Sequence, residues 1–402
     1  MSNSPSQVHP PKGKNLPFEN TEVAFQGMTN SDLNRAYWLF KLISSNFLTK
    51  VGPPVINFAL NIGLPVKPLI RATIFKHFCG GETIEECEST IQKLANGSVG
   101  SILDYSVEGA EEESVFDNTC REIIKTIQFA IGDKRTPITV FKMTGIGRFA
   151  LLEKINSKRP LSDDEIKEYS RVKNRAGQIC RSAFDAGIPV MIDAEETWIQ
   201  GPIDDLALEM MRKYNAEKPI VYNTYQLYRK NILESLIAGT TIAQAENFIL
   251  GAKLVRGAYM EKERERAENM RYPSPINDTK EITDTQYNDA LIHCLDHVDS
   301  IGLVAGTHNE DSCRFLAELL DRKGILHNHP HVYFSQLLGM SDNLSFNLSN
   351  AGYNVAKYVP YGPVKDVLSY LFRRAEENTS ISGQMGRELS LIIKEKKRRK
   401  MN

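Results

Sequence analysis

Val190-Met191-Ile192-Asp193-Ala194-Glu195 is a short apolar run that stops on two carboxylates, and a helical stretch follows it. The same unit recurs along the chain. Short β-branched or apolar runs occupy residues 101–105, 138–144, 190–195, 220–225, 251–256, 303–308, 332–337 and 354–360. Amphipathic helical spacing fills stretches between them, among them 204–214, 228–238, 285–298 and 311–323. Strand and helix in steady alternation imply a parallel sheet. Eight units in about 280 residues have the size of a TIM-type barrel. The expected class is therefore α/β, a (βα)8 barrel, with a doubly wound open sheet left open by periodicity alone. Residues 1–95 break the repeat. Helical spacing appears at 31–43 and 68–78, and Thr83 with Glu86 resembles a capping box before Ile91 and Leu94. The expected organisation is an N-terminal helical arm (1–95), a catalytic barrel (96–385) and a basic C-terminal tail (386–402).

Composition narrows the function classes. Of 402 residues, 41% are hydrophobic and 25% charged, the balance of a globular protein. Lys plus Arg total 49 against Asp plus Glu 50, which removes the basic excess that nucleic-acid binding usually needs. The one basic run, Lys394-Glu395-Lys396-Lys397-Arg398-Arg399-Lys400, reads as a solvated tail, or else as a contact with an anionic membrane surface. Six scattered cysteines without a C-x-x-C fit a reducing compartment. No signal-peptide core or Arg-rich leader stands at the N-terminus, so a cytosolic location is expected. The uncharged stretch 51–66 is broken by Pro53, Pro54, Gly63 and Pro65 and is too short to span a bilayer. It reads as packing or as a peripheral surface.

In such barrels chemistry sits where strands end. That is where the unusual polar groups fall: Asp104, with Glu108 just after it, Lys142, Asp193, Gln226, Lys253 with Arg256 and Tyr259, His308, Gln336 and Tyr358. One buried ion pair is ordinary structure. Eight polar strand ends in register would each carry a desolvation cost of a few kcal/mol unless a ligand satisfied them. Other sites are poorly supported. His293 and His297 share a helix face without an H-E-x-x-H, and His327, His329 and His331 precede a strand, at the wrong end of a barrel. No metal site is expected. Gly145-Ile146-Gly147 lacks the third glycine of a dinucleotide fingerprint, since Ala150 stands there. Arg373 and Arg374 are adjacent on a helix and point about 100° apart. They suit either an Arg373–Glu377 surface pair or two separate anionic groups.

The motifs Phe141-Lys142-Met143-Thr144, Ile192-Asp193-Ala194-Glu195, Asn223-Thr224-Tyr225-Gln226, Leu254-Val255-Arg256-Gly257-Ala258-Tyr259, Thr307-His308-Asn309-Glu310, Phe334-Ser335-Gln336-Leu337, Tyr358-Val359-Pro360-Tyr361 and Arg373-Arg374-Ala375-Glu376-Glu377-Asn378 occur in this order. Together they resemble the proline dehydrogenases, most closely the stand-alone type. The resemblance implies a distorted barrel that holds FAD non-covalently. It implies oxidation of L-proline to Δ1-pyrroline-5-carboxylate, with hydride passing to flavin N5 and electrons to a membrane-borne quinone. Lys142, Arg373 and Arg374 then clamp the substrate carboxylate, and Tyr358 packs on the ring. Asp193 and Lys253 become catalytic, with Lys253 standing where many bacterial members have an arginine near the flavin. Ala194, Gln226, Lys253, Arg256, Gly257, Ala258, Thr307, His308 and Glu377 become cofactor contacts. Asp104 and Glu108 become gating acids that pair with the lysine and the first arginine. A hydroxyproline dehydrogenase is the near alternative, disfavoured by Tyr358. A non-flavin Schiff-base or metal-dependent lyase is the alternative from another class, with Lys142 as its amine. Oligomeric state is not readable.

Overall fold

Alternation along a strand turns every second side chain inward, so each run sorts its residues between a barrel interior and the helices outside. In the computed structural model, residues 16–43, 67–106, 111–368, 370–371, 373–374 and 384–401 are described. The eight runs are strands: β1 Gly100–Tyr105, β2 Thr139–Lys142, β3 Val190–Asp193, β4 Val221–Gln226, β5 Leu250–Val255, β6 Ile301–Gly306, β7 Val332–Leu337 and β8 Val355–Tyr361. They pair in parallel in sequence order, and β8 closes on β1 with Ile102 opposite Tyr358. Closure excludes the open sheet. Ile102, Val140, Met191, Tyr222, Val304 and Ala356 fill the interior. Leu103, Phe141 and Ile192, the residues between, join the larger core under the helices. Asp104, Lys142 and Asp193 lie two residues beyond Ile102, Val140 and Met191, so they share the inward face one layer nearer the mouth.

Local chemistry sets the helix limits. Ser162 and Glu165 form a reciprocal capping box at the start of Asp163–Ala186, and Gly187 at φ 68° ends it. The helix Thr197–Tyr214 starts seven residues before the expected 204, running through Pro202. Pro202 lies in its second turn and reads as a breaker when seen without that context. The helix Ile232–Glu246 begins four residues later than expected. Tyr228 instead donates its backbone N–H to the Arg256 carbonyl, which ties the β4 loop to the β5 loop.

Before the barrel come helices Asn30–Ile43 and Ile84–Ala95, the latter capped by Thr83 and packed on β1 and β8. The stretch 51–66 lies outside the described residues. The basic run is not a solvated tail. Gln384–Arg398 is a helix whose Leu391 and Ile392 pack on Phe25, Leu33, Ala36 and Phe40 of the N-terminal arm. Glu395 is buried and accepts from Arg398 and Arg399, and Arg399 also donates to the Phe25 and Met28 carbonyls. Six positive charges in seven residues concealed one apolar helix face. Among the described residues no helix is long and apolar enough to cross a membrane.

Candidate active site

Three strands that are distant in sequence meet at the barrel mouth. Lys253 of β5 donates from Nζ to Asp193 Oδ1 of β3 at 2.6 Å and to the Tyr358 hydroxyl of β8 at 2.5 Å. The Tyr358 hydroxyl also donates to Asp193 Oδ1 at 3.1 Å. Burial, reinforced by Asp193 and Asp104, holds the Tyr358 phenol well above its ordinary range, so it remains a neutral donor. Beneath it the Met191 sulfur lies 3.9 Å from the hydroxyl.

A second acid–base pair stands alongside. Lys142 Nζ lies 3.9 Å from Asp104 Oδ2, both largely buried, and Lys142 is in register with Asp193 across β2 and β3. Arg373 and Arg374 are both described. Arg373 and Lys142 both act electrostatically on Tyr259. Arg374 is buried, covers the Tyr370 ring at 5.1 Å and acts on His308. The arginines thus face different groups, as adjacent helical residues must. Glu108 and Glu377 lie outside the described residues.

The ends of β4 to β6 form the other side. Arg256 is locked by Asp284 at 2.7 Å, the Thr307 hydroxyl at 2.8 Å and the Ser312 hydroxyl at 3.0 Å, with its guanidinium over Tyr287. Gln226 donates to the Glu195 carbonyl at 2.8 Å and so braces the turn containing Ala194. Gly257, at φ 138°, and Ala258 are exposed, and a Cβ at 257 would strike the Tyr228 ring at 2.5 Å. Burial pushes the His308 imidazole down to about 3. The Arg256 guanidinium, a neutral imidazole, an amide and a hydroxyl beside a cleared glycine turn make a polar wall that fits a flat, anion-bearing dinucleotide such as FAD.

Two groups here were given no role by sequence reasoning. Glu195 accepts the Thr144 amide at 3.0 Å and the Thr144 hydroxyl, and burial pushes its carboxyl up to about 7. Thr144 and Glu195 each lie two residues past the registered pair Lys142 and Asp193, a shared offset that could have revealed them. Lys357, adjacent to Tyr358, is fully buried on the outward face, and no sequence signal marks it. The histidine groups have other work: His293 bonds Thr240, and His327 bonds Asp321. Among the described residues no cluster of three or more His, Cys, Asp or Glu could hold a metal.

A family model described as "Proline dehydrogenase" matches residues 87–387, three quarters of the chain. The chain belongs to the proline dehydrogenase family. "Proline dehydrogenase 1, mitochondrial" of Dictyostelium discoideum is 34% identical over 425 residues, covering 94% of this chain and 74% of that protein. The Homo sapiens protein of the same name is 40% identical over 270 residues, covering 66% of this chain and 45% of its own length. Among solved structures, proline utilization A from Bdellovibrio bacteriovorus, inactivated by N-propargylglycine, superposes with a TM-score of 0.70 at 19% identity. It covers 90% of this chain, which spans 38% of that protein, and at this identity the likeness establishes the shared barrel alone. The relatives named are mitochondrial, so they lend no support to the cytosolic expectation.

Proposed function

We propose that this proline dehydrogenase family member holds FAD and oxidises L-proline to Δ1-pyrroline-5-carboxylate, passing the electrons to a quinone. The observation that carries the reading is the convergence of Asp193, Lys253 and Tyr358 from three strands onto one point of the mouth. FAD, when bound, supplies the two-electron acceptor for the ring C–H next to nitrogen. The chain's own residues supply aim and charge. Proline offers one strong handle, its carboxylate, and Lys142, Arg373 and Arg374 are the cations assigned to it. Cations close to the substrate also favour loss of the amine proton, without which the nitrogen lone pair cannot assist C–H cleavage. Lys253 is fixed in place at the mouth by Asp193 and the Tyr358 hydroxyl. Tyr358 closes the space beside the substrate ring, which favours proline over its 4-hydroxy derivative. Arg256, Gln226, Thr307 and His308, with the Ala194 and Gly257–Ala258 turns, are the cofactor wall.

The Schiff-base alternative fares worse on geometry. A nucleophilic amine needs a lone pair, and Lys253 and Lys142 both lie against carboxylates. The deciding experiment is a visible spectrum taken before and after anaerobic addition of L-proline. The oxidised flavin bands are expected to bleach with L-proline and far more slowly with trans-4-hydroxyproline. A colourless protein, or bands that persist in excess proline, would overturn the assignment. Reoxidation of the bleached enzyme by a soluble quinone then tests the acceptor.

A further inference from the structure

Outside the barrel, a second polar chain runs from His308 to the C-terminal helix. The His308 ring receives the Leu337 backbone N–H on Nε2 at 3.4 Å. A backbone N–H can only donate, so Nε2 carries the lone pair and the ring proton sits on Nδ1. Nδ1 lies 2.9 Å from the Ser341 hydroxyl, which therefore accepts from it. Ser341 in turn gives both of its own donors to one carboxylate. Its amide reaches Glu388 Oε1 at 2.5 Å, and its hydroxyl bonds the same side chain. Glu388 is buried on the helix Gln384–Arg398, beyond the last barrel strand.

The connecting segment is held in an unusual shape. Ser341 is at φ 52° and Gly339 at φ 76°, where a Cβ would strike the His77 carbonyl at 2.5 Å. Lys357 donates to the Leu337 carbonyl at 3.2 Å, the Met340 carbonyl at 2.6 Å and Asp342 at 2.7 Å. His77 of the N-terminal arm bonds the Gly339 carbonyl at 2.9 Å. A left-handed, non-glycine residue in a saturated loop persists only where its surroundings over-determine it. The Ser341 amide is aimed at Glu388, and its hydroxyl bridges that carboxylate to the imidazole.

We propose that Glu388 is a positioning residue for the cofactor wall: acting through Ser341, it holds His308 in the Nδ1-protonated form with a fixed ring plane. The proposal rests on the reading of His308 as part of the FAD site. The C-terminal helix is then part of the cofactor-holding machinery, and the titratable groups that face this chain are Asp342, Lys357, Arg374 and His77, the last held neutral by burial.

Two readouts on the full-length protein test this, one of which needs no flavin. With 15N-labelled histidine, wild-type His308 should show a protonated Nδ1 and an unprotonated Nε2. Glu388→Ala should shift these signals toward a tautomer mixture and raise the FAD dissociation constant about tenfold, a 1.4 kcal/mol effect. The proline KM of the fully loaded enzyme should stay within about twofold of wild type on the same scale. Glu388→Gln keeps an acceptor for the Ser341 amide and should fall between the two. If Glu388→Ala fails to fold, Ser341→Ala removes only the bridging hydroxyl and should move His308 in the same direction. Unchanged His308 signals in the folded variants overturn the proposal, with or without flavin. A wild-type protein that takes up no FAD defeats the functional reading instead, and the histidine signals still decide whether Glu388 sets the ring.

Discussion

Lys357 and Tyr358 are neighbours on β8 and face opposite ways, and with them the molecule buries two lysine–carboxylate clusters back to back. On the inward side Lys253 meets Asp193 and a phenol. On the outward side Lys357 meets Asp342 and two backbone carbonyls. The difference lies in what stands above each ammonium. Lys357 is enclosed by protein, with no exposed surface, and two of its three partners are backbone carbonyls that cannot leave. The inner cluster opens on the mouth, with Asp193 and Lys142 still partly exposed. Burying a charged pair rarely adds net stability. A pair that faces a cavity therefore points to a ligand, and one closed over by carbonyls points to a loop that must keep its shape.

Substitutions on the two sides should separate these roles. The largest effect is expected for Asp193→Ala, which removes the acceptor shared by Lys253 and Tyr358. kcat/KM for proline should fall about 10³-fold, roughly 4 kcal/mol, in steady-state assays. A variant keeping a tenth of wild-type kcat/KM would place the reacting centre elsewhere. Next comes Lys357→Met on the outer side, which strands Asp342 and two carbonyls. Denaturant unfolding should show a loss of about 3 kcal/mol, and an unchanged midpoint would mean that the outer cluster does not hold its loop. Smaller again, Arg373→Met and Arg374→Met should each raise the proline KM about 30-fold, near 2 kcal/mol per charged contact. The bound flavin spectrum should be nearly undisturbed, and wild-type KM in both variants would cancel the carboxylate assignment.

The smallest effect concerns pH and involves one buried acid on each side. Burial pushes the carboxyls of Glu195 and Glu388 from 4.5 up to about 7. Between those values the folded protein binds their protons more tightly than the unfolded chain does. Their contribution to stability is therefore present below about pH 4.5 and is lost as pH rises through about 7. The melting temperature should decline across that window, and Glu195→Gln should flatten the decline. An identical slope in that variant would show that Glu195 does not titrate there.

The eightfold strand–helix repeat was legible because it is a local pattern, whereas the pairing of β8 with β1 decided closure over an open sheet. Each β-branched run with its helix declares one unit, and all eight strands fall within about three residues of the runs marked from sequence. Much of the mouth was legible for the same reason. The end of a strand is a local property, and Asp104, Lys142, Asp193 and Gln226 stand at or next to such ends, with Lys253 two residues before the end of β5. The start of the helix at 204 and the basic run were misread because each was judged on its neighbours in sequence, whereas packing partners decided the outcome. The apolar face of Leu391 and Ile392 means little until Phe25 and Phe40 cover it. The sequence by itself determined the eightfold strand–helix repeat, the family resemblance and the residue types at the strand ends, since these depend on period, motif order and composition. Tertiary structure alone decided that Asp193, Lys253 and Tyr358 share one set of hydrogen bonds, and that Glu388, 80 residues beyond His308, reaches it through Ser341. Such contacts are set by how strands and terminal helices fall in space, and no local pattern records that distance.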